Sequence, residues 1–326
     1  MHYILILFLF SYTYSLFIFN NYEYNILYKS NFSEIFPHFT NIFIEYFCKS
    51  FIIVYDNDDE NILFKYNKNV KGITNTNNYI YNNVQFNKLY ESHKLNLLFN
   101  YISSYINIKD LTLLIFSPHG AITLYALLSG YLSKKIVNNN GNFTVAKVLG
   151  YIPFINNIIT LNSGIDISYL KYIFEKQERN IGLYIGGTKE QLYGIDEGQL
   201  FYSKKYKIFE YAIANGYDII PSYTFGENDT IKRDYPNKLQ KFLLNNFRIG
   251  IPNIKSIRKI NILCVYGKTI KTHKNMTPDN LFNIYKQEIE RIFDKYKLVY
   301  NKNLVNKKVN FIEFNELSNY IEKSKL

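Results

Sequence analysis

Leu111-Thr112-Leu113-Leu114-Ile115-Phe116-Ser117-Pro118-His119-Gly120 decides how this chain is read. Six consecutive apolar or β-branched residues bounded by Pro and Gly predict a buried strand, and the apolar run from Ala121 to Leu128 predicts the start of a helix. His119 then falls at the carboxyl end of a strand, the edge at which open α/β sheets bind ligands. A following helix N-terminus opposes protonation of the ring, so the expected imidazole is neutral and can accept a proton. A histidine at such a junction is as often a hydrogen-bonded structural residue, so the choice rests on the rest of the chain.

Two further segments repeat the pattern of an apolar strand that ends in polar and glycine residues. Ile181-Gly182-Leu183-Tyr184-Ile185 runs into Gly186-Gly187-Thr188-Lys189-Glu190, and Asp218-Ile219-Ile220-Pro221-Ser222-Tyr223-Thr224-Phe225 runs into Gly226-Glu227-Asn228. Around them the predicted order is strand 111–116, helix 122–135, helix 167–178, strand 181–187, helix 207–215 and strand 218–225, an α/β alternation. Gly216 stands where a helix C′ residue would, and Thr277-Pro278 opens a last amphipathic helix through Leu281, Ile284, Ile289, Ile292 and Phe293.

In order and spacing these three blocks resemble the diacylglycerol acyltransferase 2 family, which shows His-Pro-His-Gly, then Gly-Gly-Ala-x-Glu, then Val-Pro-x-x-x-Phe-Gly-Glu-Asn. The resemblance runs from about Leu111 to Tyr300. Ser117 stands where the family has its first histidine, Thr188-Lys189 depart from the family residues, and Lys205, Lys207 and Ile208 fall where it has Arg and Gly-Phe. The resemblance implies a mixed acyltransferase-type α/β sheet flanked by helices, and transfer of a fatty acyl group from acyl-CoA to diacylglycerol.

Such a reaction needs a base for the hydroxyl, a place for the oxyanion and exclusion of water. His119 is the expected base, with Glu190 expected to orient its ring and stabilise the imidazolium. Pro118, Gly120, Gly186, Gly187, Lys205, Glu227 and Asn228 are the expected substrate-binding residues; the glycines can equally serve tight turns, and Glu227 and Asn228 can cap the next turn. The family's histidine at position 117 implies space there for an imidazole. Acyl-CoA is a co-substrate, and no cofactor is implied. The alternatives are an inactive lipid-binding or scaffold member of the fold, or an enzyme acting on monoacylglycerol or a long-chain alcohol.

The 326 residues are 47% hydrophobic and 18% aromatic, with a formal net charge of +11. Basic excess attracts anionic lipid headgroups and the phosphates of coenzyme A. The basic residues are scattered among Asn and Tyr with no helix dense in Arg, which argues against a nucleic-acid partner. Cys48 and Cys264 are too few and too far apart for a disulfide framework or a zinc site, and Cys264 reads as a small apolar group in a strand. No metal is expected.

Tyr3 to Phe19 carries no charge and is nearly long enough to cross a hydrocarbon core, so residues 1–60 are read as a membrane anchor with an interfacial region. The usual features of a cleaved signal peptide are missing there. The stretch Asn41 to Tyr55 is expected to lie in the interface or to form a buried core helix. Residues 61–100 read as an Asn-rich linker or insertion and 101–326 as the acyltransferase domain. Lys29 after the anchor, with no Lys or Arg before it, favours a cytosolic catalytic domain by the positive-inside rule. The expected location is the endoplasmic reticulum membrane, with membrane lipids, acyl-CoA and a lipid alcohol as partners.

Overall fold

The computed structural model describes residues 48–56, 61–67, 72–73, 111–121, 142–145, 164–166, 170–177, 180–203, 207–247 and 250–317. The predicted anchor, the predicted helix at 122–135 and Lys205 lie outside them. Among the described residues no helix is long and apolar enough to cross a membrane.

In chain order the elements are β1 (Cys48–Asp56), β2 (Asn61–Asn67), β3 (Gly72–Ile73), β4 (Thr112–Ser117), β5 (Asn142–Val145), β6 (Gly164–Asp166), α1 (Leu170–Lys176) and β7 (Ile181–Tyr184). They continue with α2 (Gly187–Tyr193), β8 (Gln199–Tyr202), α3 (Lys207–Asn215), β9 (Asp218–Phe225), α4 (Glu227–Thr230), β10 (Ile231–Asp234) and α5 (Lys238–Phe247). The last are β11 (Asn253–Ile257), β12 (Ile260–Tyr266), α6 (Pro278–Tyr300) and β13 (Asn310–Glu313).

Nine strands form one mixed sheet in the order β3-β2-β1-β12-β9-β4-β7-β5-β6. β4 lies between β9 and β7 and is parallel to both. All six of its residues are buried, as a continuous apolar run requires of a central parallel strand. β12 pairs antiparallel with β9, and β1 pairs parallel with β12.

The described part of the stretch read as an interfacial segment or core helix is therefore a sheet strand, and β2 and β3 continue the sheet into the region read as a linker. Phe51, Ile52, Ile53, Val54 and Tyr55 are of the β-branched and aromatic types that favour a strand, and β12 offers every one a backbone pair. An aromatic run of this length suits strand and helix alike by composition, so the tertiary partner decides.

Helix α6 packs against β9, with its apolar positions recurring at helical spacing through Leu281, Phe282, Tyr285, Ile289, Ile292, Phe293 and Tyr296. Thr277 caps it by accepting from the Asn280 N–H, with Pro278 in the first turn, where its missing N–H costs nothing. Phe225 stacks on both Phe293 and Tyr300, with ring centroids 5.4 Å apart in each pair. Two strands along the sheet from β9, Arg291 and Lys295 of α6 bind Asp56 at the end of β1 at 2.9 and 2.8 Å. Desolvation pushes the Asp56 carboxyl up, but the hydrogen bonds from Lys295 and Arg291 outweigh it and hold the group below its usual range.

Candidate active site

The three sequence blocks end at the carboxyl ends of three adjacent parallel strands, β9, β4 and β7. Loop 118–120 follows β4, turn 185–186 follows β7, and Gly226 follows β9. Sheet order thus gathers residues separated by more than 100 positions, at the edge where α/β sheets bind ligands.

His119 is buried, and its ring lies 4.6 Å from that of Tyr184. Its Nδ1 lies 2.9 Å from the Gly120 carbonyl oxygen. A carbonyl only accepts, so Nδ1 carries the proton and Nε2 keeps a free lone pair. Burial pushes the imidazole down to about 4, against the hydrogen bond to Gly120, which raises it, and the nearby Arg233 charge lowers it further. The ring is neutral at physiological pH.

Glu190 lies in the first turn of α2, not at a strand end, and is buried. The main-chain N–H groups of His119 and Phe201 point to its carboxyl. The ring orientation expected of Glu190 is thus supplied by Gly120, while Glu190 holds the backbone of the histidine loop. The reason is local: its side chain folds back over Gly186, where a Cβ would lie 1.9 Å from Glu190 Oε2. Burial pushes the Glu190 carboxyl up to about 8, although the two N–H groups and Arg233 favour its charged form.

Gly187 takes a positive φ of 49°, and a Cβ there would meet nothing within 4 Å. Gly120 is required by contact instead, because a Cβ would lie 2.3 Å from Glu227 Cγ. Pro118, Gly120 and Gly186 are buried.

Glu227 is buried and accepts from the Tyr184 hydroxyl at 3.4 Å. Burial carries its carboxyl well above the usual range, and the charges of Glu190 and Glu197 add to this against Tyr184 and Arg233. Asn228 uses both ends of its amide on protein: Nδ2 donates to the Asp196 carbonyl at 3.0 Å, and Oδ1 accepts from Arg233 Nη2 at 3.0 Å. Neither residue is the N-cap of α4; that is Gly226, in the left-handed region at φ 89°.

Arg233, Glu197 and Tyr184 have no place in the sequence reading. Arg233 is buried on β10, donates to the Gly194 carbonyl as well as to Asn228, and is the cation that acts on both Glu190 and Glu227. Glu190 Oε1, Glu227 Oε2, Arg233 Nε and Arg233 Nη1 are four of the five unpartnered buried side-chain polar atoms among the described residues. Leaving such groups unpaired is costly, so the carboxyls keep their protons more readily than in water. A signal for Arg233 did exist. Only five of the 38 basic residues are Arg, so a guanidinium soon after the Glu227-Asn228 block is a choice the chain seldom makes. Glu197 accepts from the Tyr223 hydroxyl at 2.6 Å and from the Gly226 N–H at 3.2 Å, which ties the 226 turn to the core.

Ser117 also departs from expectation. It is buried, and its Oγ lies 2.9 Å from the Tyr285 hydroxyl of α6, so the side chain enters the core and the tyrosine fills the space expected for an imidazole.

Residues 106–310 match the model of the diacylglycerol acyltransferase family, well over half of the chain. The protein is an acyltransferase. It belongs to the diacylglycerol acyltransferase family. The crystal structure of the 1-acyl-sn-glycerophosphate (LPA) acyltransferase PlsC from Thermotoga maritima is similar over 63% of this chain and 80% of that one, at 12% identity and a TM-score of 0.41. No curated protein sequence matches the chain.

Proposed function

We propose that the protein is a membrane-bound enzyme that moves a fatty acyl group from acyl-CoA to diacylglycerol, with His119 as general base. The observation that carries this reading is the hydrogen bond from Nδ1 to the Gly120 carbonyl, which leaves Nε2 as the basic atom of a neutral ring. Nε2 takes the proton of the acceptor hydroxyl as its oxygen attacks the thioester carbonyl carbon. The tetrahedral intermediate then expels the coenzyme A thiolate as the C–S bond breaks, and the imidazolium returns the proton to sulfur. No covalent enzyme intermediate forms.

Glu190 is a positioning residue that fixes the main chain at His119, and Arg233 balances the carboxyls behind it. The open space beside Gly187 suits an approaching carbonyl oxygen, and the main chain of the 186–187 turn is assigned to it. Burial excludes water, which would otherwise compete as acceptor. The test is transfer from labelled acyl-CoA by the reconstituted full-length chain, with diacylglycerol, monoacylglycerol and a long-chain alcohol offered in parallel. Preference for diacylglycerol is expected. Preference for another acceptor moves the assignment within acyl transfer, and transfer to none overturns it.

A further inference from the structure

Helix α5, edge strand β11 and the connection between them carry six of the ten large apolar side chains that are exposed among the described residues: Leu239, Phe242, Phe247, Ile251, Ile254 and Ile257. Single exposed apolar residues are ordinary, but six within 19 positions of one helix–turn–strand unit form a face. On α5 the opposite side anchors the unit, because Leu244 packs into the cluster of Leu192, Tyr193 and Phe201. Phe242 and Phe247 touch edge to face at 6.0 Å, so the outward side is an organised surface. Position 250 lies against α2, where a Cβ on Gly250 would be 2.6 Å from Gln191 Oε1, one residue from Glu190.

Charge decides what such a face would meet. From Tyr235 to Lys259 the chain carries six Lys or Arg and no Asp or Glu. Lys238, Lys241, Lys255 and Arg258 of the same unit are exposed, and of these Lys255 pairs with Asp234 at 2.7 Å. Aliphatic and aromatic side chains set among cations fit the boundary between acyl chains and anionic headgroups, where each basic residue strengthens attachment about fivefold. A protein partner would be expected to find a face poor in Lys, and three of these four cations are Lys.

We infer that the α5–β11 unit docks on an anionic bilayer, with Leu239, Phe242 and Phe247 entering the acyl region and the lysines at headgroup level. This rests on the membrane-bound reading above and adds to it a second contact, distinct from the amino-terminal segment. Register relates it to the site. Cross-strand partners share a face of a β-ribbon, and Ile257 and Ile254 pair with Ile231 and Arg233. Ile231 and Arg233 are themselves buried, and the docked strand lies directly beside the strand that carries the cation behind the site.

The chain has no tryptophan, so a single Trp is its only indole reporter. Full-length Phe242→Trp and, as a control on α6, Val299→Trp would be reconstituted in vesicles of phosphatidylcholine and phosphatidylglycerol, with and without acyl-chain-brominated lipid. The expected result is strong quenching at 242, none at 299, and weaker quenching at 242 when Lys238→Glu and Lys241→Glu are added. If the protein attaches to vesicles but 242 emits as a water-exposed indole without quenching, this inference fails and the membrane-bound reading stands. Blue-shifted emission that bromine does not quench means that protein covers the face, and overturns the inference. Equal quenching at 242 and 299 removes the assignment to this face, and a protein that never attaches to vesicles overturns both readings.

Discussion

The Glu190 carboxyl faces the main-chain N–H of His119, while the His119 ring turns its Nδ1 to the Gly120 carbonyl 2.9 Å away. The backbone and the ring of one residue are thus held by different partners, and substitutions can address them separately.

His119→Ala removes the basic nitrogen and leaves the loop's main-chain contacts in place. Loss of a general base costs about 10²- to 10⁴-fold in rate. Steady-state transfer from acyl-CoA by the purified variant is expected to fall by this amount, with thermal unfolding close to that of the parent. A variant retaining a third or more of the parent rate removes His119 from the mechanism.

Glu190→Gln has an effect that depends on pH. The folded carboxyl is raised to about 8 from an ordinary 4.5, so its contribution to stability is complete below 4.5 and is lost as pH rises toward 8. Glutamine resembles the protonated acid, so near-parent activity is expected at pH 6 to 7. Above this the parent gains a carboxylate that stabilises the imidazolium of the transition state, and the variant does not. Profiles between pH 5 and 9 check both: the parent's melting temperature falls up to about 8 and levels above it while its kcat rises near 8, and the variant lacks both components. Identical profiles would leave Glu190 without an electrostatic role.

Arg233→Met deletes the cation behind Glu190 and Glu227 and frees the Gly194 carbonyl and Asn228 amide that it binds. Breaking a buried ion cluster from one side costs about 3 kcal/mol. Urea unfolding is expected to approach a loss of this size at pH 9, where Glu190 is ionised, and to show a smaller one at pH 5, where both carboxyls are protonated. A loss independent of pH would assign Arg233 to packing alone.

Gly226→Ala meets two obstacles. The residue sits at φ 89°, and a Cβ would lie 2.6 Å from the Tyr300 hydroxyl and 2.7 Å from the Asn261 carbonyl oxygen. Strain of this kind costs about 1–3 kcal/mol. Adding Tyr300→Phe removes the hydroxyl contact but not the carbonyl contact or the dihedral strain, so only part of the loss should return in denaturant unfolding.

Ser117→His places an imidazole where Tyr285 stands, and overpacking a core costs about 1–3 kcal/mol. Unfolding of the single variant should show that loss, and pairing it with Tyr285→Ser should recover most of it. A single variant as stable as the parent would mean that α6 yields more readily than its packing suggests.

The α/β order, the helix at 207–215, the strand at 218–225 and the Thr277-Pro278 helix start were legible because each rests on local period or capping chemistry. So was the gathering of the three blocks at strand ends, since parallel strands followed by loops present one edge. The β1 strand was not, because its pairing with β12 joins residues more than 200 positions apart and leaves no local trace. Glu190 shows the same limit at the site. The sequence places a carboxylate near the histidine, but which atom it faces depends on a side chain folding over Gly186. The scarcity of Arg in the chain marks Arg233, but its role lies in burial beside Glu190 and Glu227, which no local pattern displays.

The pairing of β1 with β12 constrains how the protein can be cut. A fragment beginning at residue 101 follows the boundary suggested by composition, yet it would strip seven paired residues from β12 and leave Ile262 to Tyr266 as a bare apolar edge. It would also take Asp56 from Arg291 and Lys295. Open edges of that kind recruit other strands, so the fragment is expected to self-associate, and preparations of the catalytic region need to begin upstream of Cys48.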